Sequence, residues 1–145
     1  MNRQTKQFDF YHKEEFEQLK ECPPRDYRNI ECECYRWVFS TIDDSRNFLS
    51  QAEKNPKALN DKTDKEKCEY YALSFHMSFE KSKEHYKILK KTFKNIPKNI
   101  GTHIAKGLLV EENGLGGETD NMSHFNFHFT KSKEFCSTFE IVEEL

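Results

Sequence analysis

The chain's six histidines are its most adaptable chemical groups, because imidazole changes charge near neutral pH and also donates, accepts and ligates. Their spacing says where they point. In Ser123-His124-Phe125-Asn126-Phe127-His128-Phe129-Thr130 the period is two, so Phe125, Phe127 and Phe129 face one way and His124, Asn126, His128 and Thr130 the other. Residues 71–78 alternate in the same manner: Tyr71, Leu73, Phe75 and Met77 share one face, and Ala72, Ser74, His76 and Ser78 share its opposite. His103, which follows Gly101-Thr102, joins this polar surface if its strand pairs in register. A sheet face bearing several histidines is expected to be a ligand or reaction surface. The expected ligand-binding residues are His103, His124, Asn126 and Arg36.

Metal ligation is not expected. His124 and His128 lie four residues apart, about 13 Å along a strand at a rise near 3.4 Å, whereas both must approach one ion to about 2 Å. The five cysteines, Cys22, Cys32, Cys34, Cys68 and Cys136, are an odd number without the density of a disulfide scaffold, and they read as reduced thiols. Cys32 and Cys34 share one strand face but lack the second ligand pair of a structural zinc site. Their neighbours Glu31 and Glu33 blunt thiol reactivity. No metal and no cofactor is expected.

His76-Met77-Ser78 and His128-Phe129-Thr130 are both H-x-[ST] triplets on predicted strands. The pair resembles the motifs of the two-histidine (2H, LigT-like) phosphoesterases. That resemblance implies His76 and His128 as an acid–base pair, Ser78 and Thr130 as binders of phosphate oxygens, and a 2′,3′-cyclic or 2′-5′ linked phosphodiester as substrate, without metal. Residues 126–134 also echo residues 74–84 with a two-residue offset, as a two-lobed fold of that family implies. Arg36 with Ser74-Phe75-His76-Met77-Ser78 is similar to the Arg and Ser-x-Ser elements of ADP-ribosyltransferases, but residues 122–130 carry no carboxylate for that family's Glu strand.

The elements that must hold these groups follow from pattern and punctuation. A first helix is expected from Asp9 to about Lys20, with Tyr11, Phe16 and Leu19 inward, ended by Cys22-Pro23-Pro24. Residues 30–41 predict a strand, and residues 43–67 a polar loop with one or two short helical pieces. Ser78 caps a helix whose Phe79, Tyr86, Leu89 and Phe93 follow three-and-four spacing as far as Asn95 and Pro97. Its Lys83, Lys87, Lys90 and Lys94 form a basic stripe, expected to be solvated or to dock an acidic partner. Residues 102–110 and 122–130 predict a hairpin joined by the Gly-rich stretch 111–118. That stretch lacks a Lys-Ser/Thr ending and is no phosphate cradle. Residues 135–142 predict a closing strand.

Composition bounds the rest. With 145 residues, 35% hydrophobic, and 13 Phe, the chain suits one domain, residues 1–145, with a flexible start over 1–7. A net charge of -2 weighs against bulk nonspecific DNA binding, and no apolar run suits a signal or a membrane span. The expectation is therefore a soluble cytoplasmic α+β domain, with a mostly antiparallel sheet of about five strands and two or three helices mainly on one face. As a module it would bind an unidentified protein or a nucleotide or phosphate ligand. The phosphoesterase stands as the alternative.

Overall fold

Residues 30–41, 71–78, 102–110 and 122–130 carry the apolar alternation, and each contributes a strand in the computed structural model, which describes residues 8–145. The expected flexible start, residues 1–7, lies outside the described residues. The strands are β1 (Arg28–Asn29), β2 (Cys32–Val38), β3 (Leu73–His76), β4 (His103–Leu109), β5 (Gly114–Gly116), β6 (His124–Phe129) and β7 (Glu140–Glu144). They form one antiparallel sheet in the order β1-β5-β6-β3-β2-β4-β7. Among the described residues five helices accompany it: α1 (Lys13–Glu17), α2 (Gln51–Lys54), α3 (Asp64–Tyr70), α4 (Phe79–Thr92) and α5 (Ile96–Asn99). The class is α+β, with seven strands where five were expected. The surplus includes β1 and β5, too short for periodicity to register. No described helix is long and apolar enough to cross a membrane.

Three expected elements form differently. Residues 102–110 and 122–130 do not pair as a hairpin, since β3 and β2 lie between β6 and β4. The intervening chain makes a 3-10 turn (Glu111–Asn113) and then β5, which reaches β6 instead. Gly114 permits this with φ of 151°, and a Cβ there would strike the His128 carbonyl. The first helix shrinks to α1 and leaves Tyr11 exposed, because Phe10 bridges Thr130 and the Tyr11 N–H donates to the Phe129 carbonyl. The segment before Lys13 is thus held as an extension of the sheet. Phe135 enters a 3-10 turn (Glu134–Thr138), and the closing strand starts only at Glu140.

One face of the sheet is hydrocarbon. Cys34, Val38, Leu73, Phe75, Ala105, Leu109, Phe125, Phe127 and Phe129 pack there with Phe135 and Phe139, and Ile42 and Phe48 from the loop after β2 close over them. The chain's own turns therefore cover the phenylalanines. Helix α4 covers the opposite, histidine-bearing face, where Trp37 meets Tyr86 at 5.4 Å and donates from Nε1 to Ser82 Oγ at 2.9 Å. The polar face is accordingly not an open surface.

Gly107 shows how closely the hydrocarbon face is filled. A Cβ on this strand residue would overlap the Phe139 ring, which is itself stacked on Phe75 at 5.6 Å and edged by Phe48 at 5.2 Å. With no free direction for that ring, Gly107→Ala is expected to cost about 1–3 kcal/mol, despite alanine's lower chain entropy. Urea unfolding of the two proteins measures it.

Candidate functional site

The site arises where two neighbouring strands part. Strands β2 and β3 share a single register pair, Tyr35 opposite His76. Beyond it, the Ser74 carbonyl accepts from Arg36 Nη1 at 2.9 Å. The same guanidinium donates from Nε to the Asn47 carbonyl at 2.7 Å and from Nη2 to the Leu49 carbonyl at 3.4 Å. Asn47 fixes that segment by accepting from the Phe39 N–H and donating to the Thr41 and Ile42 carbonyls. Arg36 thus bridges the gap from strand to strand.

A cavity of about 230 Å³ occupies the gap under α4. Arg36, Lys54, His76, His85 and His124 bring cationic or imidazole groups to its wall, and Trp37, Leu49, Ala72, Leu89 and Ile100 supply the apolar part. Among the described residues no carboxylate lines it. Ser74 and Gln51, also in the wall, are exposed and mark its opening to solvent. Arg36 is buried, and three of its five N–H groups are used, all on neutral carbonyls. It forms no ion pair among the described residues. The faces of Phe48 and Phe75, 5.6 and 5.7 Å away, add partial compensation.

Burial tunes these groups. The Arg36 guanidinium falls to about 10 and remains charged at neutral pH. Lys54 is brought down to about 8, chiefly by burial and then by Arg36 and Arg46. His76 drops to about 3 through burial, with His124 and His85 adding repulsion. Burial lowers His85 and His124 as well. His76 Nε2 and His85 Nδ1 are 2.8 Å apart, so one neutral ring donates to the other. Trp37 lies against both rings at 5.0 and 5.3 Å. Outside the wall, the Asp120 carboxylate is 3.5 Å from His124 Nδ1, which favours a proton on that nitrogen.

The structure unites only part of the expected site. His76, His124 and Arg36 share the cavity. Asn126 lies opposite Ser74 on the same face but outside the wall. His103 is at the start of β4, opposite Val38 and Glu144, with its Nδ1 2.8 Å from Thr102 Oγ1. The pair implied by the phosphoesterase resemblance is not brought into one cleft. Because His76 is opposite His124, His128 lies four residues further along the same face, about 13 Å away. His128 is enclosed by Phe16, by Tyr27 and by Cys68. Ser78 Oγ is engaged as the α4 cap, accepting from the Lys81 N–H, and Thr130 bridges Phe10. Of the basic stripe, Lys83 pairs with Glu143 at 2.6 Å, while Lys87, Lys90 and Lys94 are exposed.

Two of the cysteines expected as thiols are joined. Cys22 and Cys68 form a disulfide across 46 residues, leaving Cys32, Cys34 and Cys136 free. The packing of α3 beside the segment after α1 creates the pair, and no local pattern announces it.

His85, Trp37 and Lys54 were not expected in the site. For His85 a signal existed: Ser82, His85, Tyr86 and Leu89 share one helical stripe. Lys54 arrives from α2, whose capping box of Ser50 and Glu53 is a readable start signal. Together, fold and site define an antiparallel α+β protein with a small cation- and imidazole-lined cavity. Compared with protein families, curated proteins and solved structures, the chain matches none.

Proposed function

We propose that this chain is a binding module for a small molecule carrying a phosphate or carboxylate group, which enters the cavity between β2 and β3. The observation that carries this reading is the buried Arg36, a cation without a carboxylate partner among the described residues, in a wall that also holds Lys54 and three imidazoles. An oxyanion there supplies the missing countercharge in a low dielectric, where charge-assisted hydrogen bonds are strongest. The volume of about 230 Å³ suits a ligand smaller than drug size. The apolar wall accommodates a short carbon portion. The exposed Lys87, Lys90 and Lys94 belong to the same reading as an electropositive approach, felt at low salt.

A reducing compartment opens disulfides. A cytoplasmic setting for this module therefore implies the dithiol form of Cys22 and Cys68.

Trp37 is the chain's one tryptophan and lines the cavity, so its fluorescence reports binding directly. Titration with inorganic phosphate, acetate and a small phosphomonoester is expected to give a saturable change. Lys54→Met should weaken it by about tenfold, as loss of a charged hydrogen bond of some 1.5 kcal/mol implies. Affinity should also fall as pH rises through about 8, where Lys54 loses its charge. Lys87→Glu at high salt should leave it unchanged. No saturable response up to about 10 mM of any of the three anions, a ceiling of under about 3 kcal/mol of binding, would remove the proposal.

A further inference from the structure

A second cluster lies at the far end of the histidine face. The sulfurs of Cys22 and Cys68 and a ring nitrogen of His128 are within 4.8 Å of one another, and His128 Nε2 is 3.4 Å from Cys68 Sγ. Atoms bound to one tetrahedral ion at about 2.0–2.3 Å are themselves about 3.5 Å apart, so the imidazole already stands at a ligand's distance from that sulfur. Cys68 and His128 are buried, while Cys22 is half-buried and gives access from solvent. Tyr27 stacks on the His128 ring at 5.6 Å and Phe16 meets it edge-on at 4.8 Å, which holds the ring's orientation. Nδ1 of His128 is buried without a hydrogen-bond partner among the described residues, and the other nitrogen has only a disulfide sulfur, a weak partner. A polar ring so poorly satisfied is unusual in a core.

We propose that reduction of the Cys22–Cys68 disulfide converts this cluster into a binding site for a thiophilic metal ion of the Zn2+ type, ligated by both sulfurs and His128. The reductant is a dithiol. One of its thiolates attacks the more accessible Cys22 sulfur, the S–S bond breaks, and Cys68 leaves as a thiolate that takes up a proton. The second thiol of the reductant then displaces Cys22 from the mixed disulfide. The reductant ends as its own disulfide, and two electrons and two protons have passed to the protein. On binding the ion, both thiols give up their protons and His128 enters as a neutral ring through a lone pair, so two protons are released per ion. Two thiolates and one imidazole form a soft donor set that selects Zn2+ over Mg2+ or Ca2+. Three protein ligands leave the fourth position for solvent. The site is therefore closed when oxidised and open to metal when reduced.

The test uses the full chain, reduced by a dithiol, freed of reductant without oxygen and titrated with Co2+, whose thiolate charge-transfer and tetrahedral d–d absorption report sulfur ligation. The expected result is one Co2+ per reduced chain, displaced by Zn2+, and none for the oxidised chain. C22S/C68S should abolish the charge-transfer band, and His128→Gln should weaken Co2+ binding by more than about tenfold, beyond the loss typical of an outer partner. Replacing Cys32, Cys34 and Cys136 by Ser should leave the band intact, and circular dichroism of each variant shows which remain folded. If His128→Gln unfolds, Cys22→Ser alone, at a half-buried position, provides the same test by losing one sulfur's share of the band. The proposal fails if reduced protein takes up no stoichiometric Co2+, if the band survives C22S/C68S, or if reduction unfolds the chain and Co2+ does not restore it.

Discussion

Lowering the pH from about 6 to about 4.5 is expected to destabilise this protein steeply, at about 2.7 kcal/mol per pH unit over the central part of that range. His76 and His128, held furthest down, supply that slope, and His85 and His124, lowered by burial as well, add to it in the same direction. His76 and His128 are both held to about 3 by burial, His76 with the added repulsion of His124 and His85, and His128 with that of His12. In the unfolded chain each titrates near the ordinary value of about 6.5. Above that value both states hold neutral rings, and the stability is fully present. As pH falls below it, the unfolded chain takes up two protons that the folded chain refuses until about pH 3, and each contributes about 1.4 kcal/mol per unit. A loss of some 3–4 kcal/mol is a large share of a domain's usual 5–15 kcal/mol. Glu53, whose carboxylate is held at about 2 by its contacts with His12 and the Ser50 N–H against the opposing effect of burial, adds a further loss only below the ordinary carboxylate range. The histidine slope is therefore read above about pH 4.5. Urea unfolding at a series of pH values measures it. His128→Gln should remove about 1.4 kcal/mol per pH unit from the slope whatever it does at pH 7, and a flat profile between pH 6 and 4.5 would show that these rings are not buried neutral.

Opening the Cys22–Cys68 bridge is expected to have an effect of about the same size. The bridge closes a loop of 46 residues that contains β1, β2, α2 and the cavity's Arg36 and Lys54. In the chain-entropy account, releasing a loop of that length returns about 4 kcal/mol of freedom to the unfolded ensemble. At about 2–4 °C per kcal/mol for a domain of this size, melting should fall by about 8–16 °C on reduction. C22S/C68S should melt at that lower temperature and no longer respond to reductant. Equal melting of oxidised and reduced protein would mean that residual contacts between the α1 and α3 segments already restrict the unfolded chain. Because the two sulfurs and His128 can also hold an ion, metal added to the reduced wild type should recover part of the loss.

Local pattern made much of the architecture readable. Alternation over residues 71–78 and 122–130 separates the phenylalanines from the histidines on β3 and β6, and the register of His76 opposite His124 keeps them together. Ser78 and the spacing of Tyr86 and Leu89 give α4 its start and its inward side. The segment 43–67 is harder to read because α2 and α3 have only four and seven residues, yet the boxes Ser50 with Glu53 and Thr63 with Glu66 mark both starts. The site was half legible. His76, His124 and Arg36 carry recognisable chemistry in strands, whereas His85 and Lys54 become neighbours of them only through packing.

Amino-acid order alone settled which residues share a face, because a strand repeats every two residues and a helix every 3.6, whatever lies around them. It did not settle what each face meets. Phe135, Phe139 and Phe48 cover the phenylalanine face from segments more than ten residues distant along the chain from Phe75, and that choice sends α4 to the histidines. The parting of β2 from β3, the union of Cys22 with Cys68 and the distance between His76 and His128 follow from the same collective burial. Such pairings depend on the free energy of the whole core and leave no local signature.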